Sequence, residues 1–152
     1  MNTYNLNWRI IESAVTQFVN RINGKTFDLI VPIARGGLVP GTIIGYKAGI
    51  KNLYPVHLRS YTDDKQQQEI KFVTKPDLEY LCTNFKNSNI LIFDDLSDTG
   101  KTFKKVVEFF DYNLCAATIT TGSLYIKPHT EYVPSIYVGE FSSDTWVNFP
   151  WE

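Results

Sequence analysis

Residues 90–103, ILIFDDLSDTGKTF, end as a phosphate-binding P-loop ends and begin as something else. A P-loop carries a glycine five residues before its Gly-Lys-Thr, so that the backbone can curl round phosphates with no Cβ in the way. Counting back from Gly100 gives Asp95, with Asp94 beside it. Two carboxylates repel a bare polyphosphate. The string is therefore either an ordinary capped strand-to-helix turn with surface acids, or the site of a ligand whose other groups want carboxylates: hydroxyls, or the water ligands of a metal. A chain turning here from strand to helix brings backbone N–H groups and the hydroxyls of Ser97, Thr99 and Thr102 onto one phosphate at a helix N-terminus. Phosphate for the amides and hydroxyls for the acids together describe a sugar phosphate.

Around this string the chain alternates. ILIF (90–93) reads as a buried strand, and the helix after the loop puts Phe103, Val106, Val107 and Phe110 on one face. FDLIVPI (27–33) is a second near-continuous apolar run, suited to a strand covered on both faces, with Pro32 near its exit. ARGG opens a loop, Pro40 to Ala48 reads as a short helix ended by Gly49, and YPVHLRS (54–60) returns as a strand. IKFVT (70–74) and CAATITTGSLYI (115–126) are further strands, with a helical turn from Pro76 to Leu81. Near the N-terminus, Trp8, Ile11, Val15, Phe18 and Ile22 repeat at helical spacing and stop at Asn23-Gly24. TDDKQQQE (62–69) has almost nothing to bury and reads as a mobile loop, its alternative being a solvated hairpin tip. The pattern implies one α/β domain over residues 1–152, a mainly parallel twisted sheet flanked by helices. Ligands bind such sheets at the carboxyl ends of the strands, where ARGG and DDLSDTGKT share a crevice.

Composition narrows the function classes. Fifteen basic and sixteen acidic residues leave a net charge of −1, which recruits neither nucleic acid nor an anionic membrane. No run approaches the ~18 apolar residues of a membrane span, and the N-terminus lacks a basic segment before an apolar run, so a cytoplasmic protein is expected. Cys82 and Cys115 lack C-x-x-C spacing, and His57 and His129 are too scattered for a zinc site. Both imidazoles read as unremarkable.

The string DDLSDTGKT resembles the phosphoribosyl pyrophosphate signature of the type I phosphoribosyltransferases. In the same order, VPIARGGLVPGTIIG resembles their pyrophosphate loop and RSYTDDKQQQEIK their flexible catalytic loop. YIKP and SDTWVNFPWE resemble the base-binding region, a small hood, of bacterial xanthine-guanine phosphoribosyltransferases. The resemblance implies transfer of phosphoribosyl from phosphoribosyl pyrophosphate to a purine base with Mg2+, in a homo-oligomer, dimer or tetramer. Arg35, Gly36 and Gly37 would hold pyrophosphate; Ser97, Thr99, Gly100 and Thr102 the 5′-phosphate; Asp94 and Asp95 the ribose hydroxyls and, indirectly, the metal. Ser60 and Tyr61 would anchor the closed flexible loop. Asp98 would be the general acid or base at the purine imidazole ring, its alternative being a helix cap. Lys127 would donate to the C6 oxygen, Trp146 would stack on the base unless it is a core residue, and Val147 would offer backbone groups. The Ala34-Arg35 peptide is a candidate for the family's non-proline cis bond. Gln68 and Asn148 stand where relatives carry an arginine and an acid. A second reading is a non-catalytic sensor of the same ligand on the same fold.

Overall fold

The structure, a computed structural model, describes residues 1–66 and 68–152. Its centre is a six-stranded sheet, which in chain order uses β2 (Leu29–Ala34), β3 (Val56–Thr62), β4 (Gln68–Phe72), β5 (Asn89–Ser97), β6 (Thr118–Ile126) and β7 (Ile136–Glu140). Across the sheet the order is β4-β3-β2-β5-β6-β7, and only β3 and β4 are antiparallel. The parallel strands β2 and β5 are central and buried on both faces, as continuous apolar runs require. Helices α1 (Trp8–Arg21) and α2 (Leu38–Ala48) cover one face, and α3 (Leu78–Phe85) and α4 (Lys101–Asn113) belong to the other. Two apolar cores result, one around Phe18 and Phe93, the other around Phe103 and Phe110. This is the mainly parallel α/β architecture that the sequence implies.

Local signals explain most boundaries. Asn7 caps α1 by accepting from the Ile10 amide at 2.9 Å, and Asp77 caps α3 in the same way at Tyr80. Helix α2 ends at Gly49 with φ 73°, the left-handed conformation that favours glycine. Strand β7 was not expected, α3 runs on to Phe85 instead of stopping at Leu81, and three further elements differ from expectation. β5 does not stop at Phe93 but runs through both acids to Ser97, because Asp94, Leu96 and Ser97 pair with Ser123, Tyr125 and Ile126 of β6. The segment after residue 60 is a hairpin: Ser60, Tyr61 and Thr62 pair with Ile70, Glu69 and Gln68, and Asp63 turns the chain by accepting from the Lys65 amide at 2.9 Å. The expected loop of 62–69 also includes Gln67, which lies outside the described residues. Finally, Trp8, expected on the buried face of α1, is exposed at the first helical position and lies 6.0 Å from the Trp151 ring.

A second sheet was not foreseen. Strands β1 (Asn2–Asn5) and β8 (Thr145–Asn148) pair in parallel, joining the two ends of the chain into a small roof.

Candidate active site

Because β2, β3, β5 and β6 are parallel, their carboxyl ends fall on one edge, and each leads into a stretch singled out by its sequence. After β2 the Ala34-Arg35 peptide is cis. Arg35 is exposed, whereas Gly36 and Gly37 are pressed against β5. A Cβ on Gly36 would collide with the Asp95 carboxylate, and one on Gly37 would come within 2.8 Å of the Ile33 and Phe93 carbonyls. The glycine pair thus serves first to bring this loop onto the acids. The Gly37 amide donates to the Ile33 carbonyl at 2.8 Å, so it closes the turn instead of facing a ligand.

At the end of β5, Asp94 is half-buried and Asp95 is 8% exposed. Burial holds the Asp94 carboxyl well above the usual carboxylate range, and the neighbouring charge of Asp95 adds to the effect. Burial likewise pushes Asp95 up to about 6; its hydrogen bonds to Asp94 and the Leu96 amide oppose the shift, and the charge of Glu152 adds to it. An acidic pair of this kind binds a cation or accepts from hydroxyls more readily than it stays doubly ionised in isolation.

The turn into α4 shows what the first residues of SDTGKT do. Gly100 is the N-cap with φ 84° and offers no side chain to cap the helix; the Lys101 amide reaches Thr99 Oγ1 only at 3.4 Å, and the N–H groups that follow it in the first turn are available to an anion. Thr99 and Thr102 flank that end, exposed and half-buried. The Ser97 hydroxyl is not brought there. It is buried and lies 2.8 Å from both Thr130 Oγ1 and the Tyr132 carbonyl, because β5 extends to Ser97 and turns its side chain towards the loop after β6. Asp98 does not act as a cap either. Its Oδ1 is 2.8 Å from His129 Nε2 and its Oδ2 is 3.5 Å from Lys127 Nζ.

Lys127 follows β6 and is 6% exposed. With Asp95, Asp98, Trp146, Val147 and Glu152 it lines a cavity of about 180 Å3. Trp146 is 54% exposed, which rules out a core role, and it also lines an adjoining cleft of about 800 Å3 with Arg35, Gly36 and Glu152. Its indole N–H donates to Asn148 Oδ1 at 2.8 Å, and Asn148 Nδ2 donates to Asn5 Oδ1 at 2.8 Å. Asn148 thus fixes the tryptophan across the β1–β8 pair. Val147 is buried in the same strand.

Ser60 and Tyr61 lie on the β3–β4 hairpin. His57 of β3 is level with Ala34, the last residue of β2, so β3 continues five residues past the end of β2 to Thr62, about 16 Å at ~3.3 Å per residue. Sequence reasoning missed His129 and the roof strands. For His129 the available signal was its place two residues after Lys127, across Pro128. Among the described residues no three His, Cys, Asp or Glu side chains converge as a metal cage, and no helix is long and apolar enough to cross a membrane.

Residues 5–152 match the family described as "Phosphoribosyl transferase domain". Among solved structures, the chain is similar to a purine phosphoribosyltransferase from Pyrococcus horikoshii, with 29% identity, a TM-score of 0.84, and 100% of this chain and 95% of that one covered. A xanthine-guanine-hypoxanthine phosphoribosyltransferase of Helicobacter pylori has 17% identity and a TM-score of 0.84 over 99% and 94% of the two chains. A hypothetical protein of Neisseria gonorrhoeae with bound ppGpp has 20% identity and the same TM-score over 99% and 89%. By the match of its sequence over residues 5–152 and by its fold, this chain belongs to the phosphoribosyl transferase domain family.

Proposed function

We propose that the chain is a pentosyltransferase that moves phosphoribosyl from phosphoribosyl pyrophosphate to a 6-oxopurine, xanthine, guanine or hypoxanthine, in purine salvage. The observation that carries this reading is the small cavity between Lys127, Asp98 and Trp146, next to the acids of β5 and the uncapped N-terminus of α4. In it a purine stacks on Trp146, a contact worth about 1–3 kcal/mol by truncation. Lys127 donates to the C6 oxygen, and Asp98 receives the imidazole-ring proton as a ring nitrogen forms its bond to the anomeric carbon. The bond from that carbon to pyrophosphate breaks, and its electron pair leaves with the pyrophosphate beside Arg35 and Gly36. The first turn of α4, with Thr99 and Thr102, holds the 5′-phosphate. Asp94 and Asp95 hold the ribose hydroxyls and the surroundings of a magnesium ion. Two crowded carboxylates without a full cage suit an ion carried largely by substrate phosphates, where its chemistry is neutralisation of the leaving group. Self-association as a dimer or tetramer is part of the proposal, with Leu38, Val39 and Tyr46 of α2 exposed for it.

The test is pyrophosphate release from phosphoribosyl pyrophosphate, magnesium and each of four bases. Lys127 offers only donors, so adenine, with an amino group at C6, leaves a cation facing a donor. A site built on one polar contact discriminates by roughly 10⁴- to 10⁵-fold when the contact is unmet. The three 6-oxopurines are expected to exceed adenine in kcat/KM, and Lys127→Ala to flatten the ranking. Preference for adenine, or a ranking indifferent to Lys127→Ala, removes the base assignment. A sensor that binds nucleotide without turnover, the second reading, releases no pyrophosphate; the ppGpp carried by the Neisseria protein keeps it in view.

A further inference from the structure

We propose that His129 is a positioning residue for Asp98, holding its carboxylate in place once Lys127 has turned to the purine; the inference rests on the catalytic reading above. Before a base binds, Asp98 has two partners, and they are unequal. Lys127 reaches Oδ2 at 3.5 Å, the limit of a hydrogen bond, whereas His129 Nε2 meets Oδ1 at 2.8 Å. Lys127 is buried and faces the cavity, and its donors are the ones a C6 oxygen would take. As the base takes them, the weaker of the two anchors is the one diverted. His129 remains, with Nε2–H as donor, and leaves Oδ2 free for the ring proton.

His129 is able to hold another group because it is itself held. The Thr130 amide donates to the Lys127 carbonyl at 3.1 Å, closing a tight turn with Pro128 and His129 at its centre. That turn is tied to the phosphate loop at several points. The Lys127 amide donates to the Ser97 carbonyl at 3.1 Å, the Glu131 amide to the Thr99 carbonyl at 2.8 Å, and Thr130 Oγ1 meets Ser97 Oγ. The Tyr132 ring stacks on Phe103 of α4 at 5.4 Å. Gly100 admits this contact: a Cβ there would lie 2.6 Å from Thr130 Oγ1. The histidine and the carboxylate are therefore presented by two loops that form one unit, although each side chain is more than two-fifths exposed. The free carboxylate of an uncapped helix start would otherwise sample the α4 amides, which Asp98 does not touch.

Such a role predicts a loss in kcat and not in sugar-phosphate binding. The experiment measures pyrophosphate release with guanine for the parent chain, His129→Ala and His129→Gln, and binding of phosphoribosyl pyrophosphate with magnesium by calorimetry. A catalytic group that wanders by an ångström costs up to ~10²-fold, so kcat of His129→Ala is expected to fall about 10- to 100-fold. KM and Kd for phosphoribosyl pyrophosphate stay within about twofold of the parent, as a positioning role requires. His129→Gln, which keeps an amide donor, recovers most of the rate. An active parent with unchanged kcat in His129→Ala overturns this inference alone. Loss of phosphoribosyl pyrophosphate binding in both variants, or no recovery with glutamine, also overturns it in favour of a structural turn. A parent that releases no pyrophosphate with any base overturns both this inference and the catalytic reading.

Discussion

At Asp95 the fold places a carboxylate where ionisation is hard, between Gly36 and the interior, with the charge of Glu152 adding to the difficulty. Its pKa rises from 3.8 to about 6, so the folded chain holds the proton more tightly than the unfolded one. The associated stability is present below pH 3.8 and lost as pH rises through about 6. Asp95→Asn removes the charge and is expected to raise stability at pH 8 by on the order of 1–3 kcal/mol, with the gain shrinking as pH falls towards 4. Urea unfolding at several pH values checks it, and an equal gain at all of them rejects the buried charge as the cause. Under the proposed function ligand binding runs the other way, since the same variant loses a charged acceptor for ribose. Asp98 is the opposite case: half-exposed and engaged by His129 and Lys127, it leads to a prediction about rate. Asp98→Asn keeps the shape and loses the proton acceptor, so single-turnover kcat falls roughly 10²- to 10⁴-fold while phosphoribosyl pyrophosphate still binds. An unchanged rate removes Asp98 from the chemistry. The sequence made Asp94, Asp95 and Asp98 legible because acids beside a phosphate loop are chemically odd. His129 was not legible, since nothing in a lone imidazole says which carboxylate the fold will bring to it.

Among the elements, the β3–β4 hairpin is the one that the proposed transfer requires to move over the site. It projects past the end of β2, is exposed on Ser60 and Tyr61, and holds its own tip through Asp63. An oxocarbenium-like centre left open to water is lost to hydrolysis, so the hairpin is expected to close once sugar phosphate, magnesium and an unreactive purine analogue are bound. Amide exchange across residues 60–66 then slows, and unchanged exchange with all three present counts against closure. Whether this segment was loop or hairpin could not be read from TDDKQQQE, because strands that face solvent on both sides show no apolar alternation. The opposite case is β2, whose Leu29, Ile30 and Val31 announce a central strand. β5 was only half legible: ILIF gave its buried part, while Asp94 to Ser97 are strand through pairing with β6, which no local pattern carries.

For the whole molecule, the layered parallel sheet followed from alternation alone, and the crevice at its carboxyl edge from where ARGG and DDLSDTGKT fall in that alternation. The roof did not follow. β1 is four exposed residues, NTYN, and its partner β8 lies at the far end of the chain; a pairing so short and so distant leaves no periodic trace in either segment. Asn5 and Asn148, 143 positions apart, nevertheless meet side chain to side chain and hold Trp146. Contacts of such sequence separation form late, because the intervening chain must first be ordered. During vectorial synthesis, which releases the N-terminal part first, the phosphate edge is translated well before the wall that Trp146 supplies. β1 waits unpaired until β8 emerges. Under the proposed function, a nascent chain thus carries its sugar-phosphate residues before its purine wall, and the two-substrate pocket is complete only when β8 closes on β1.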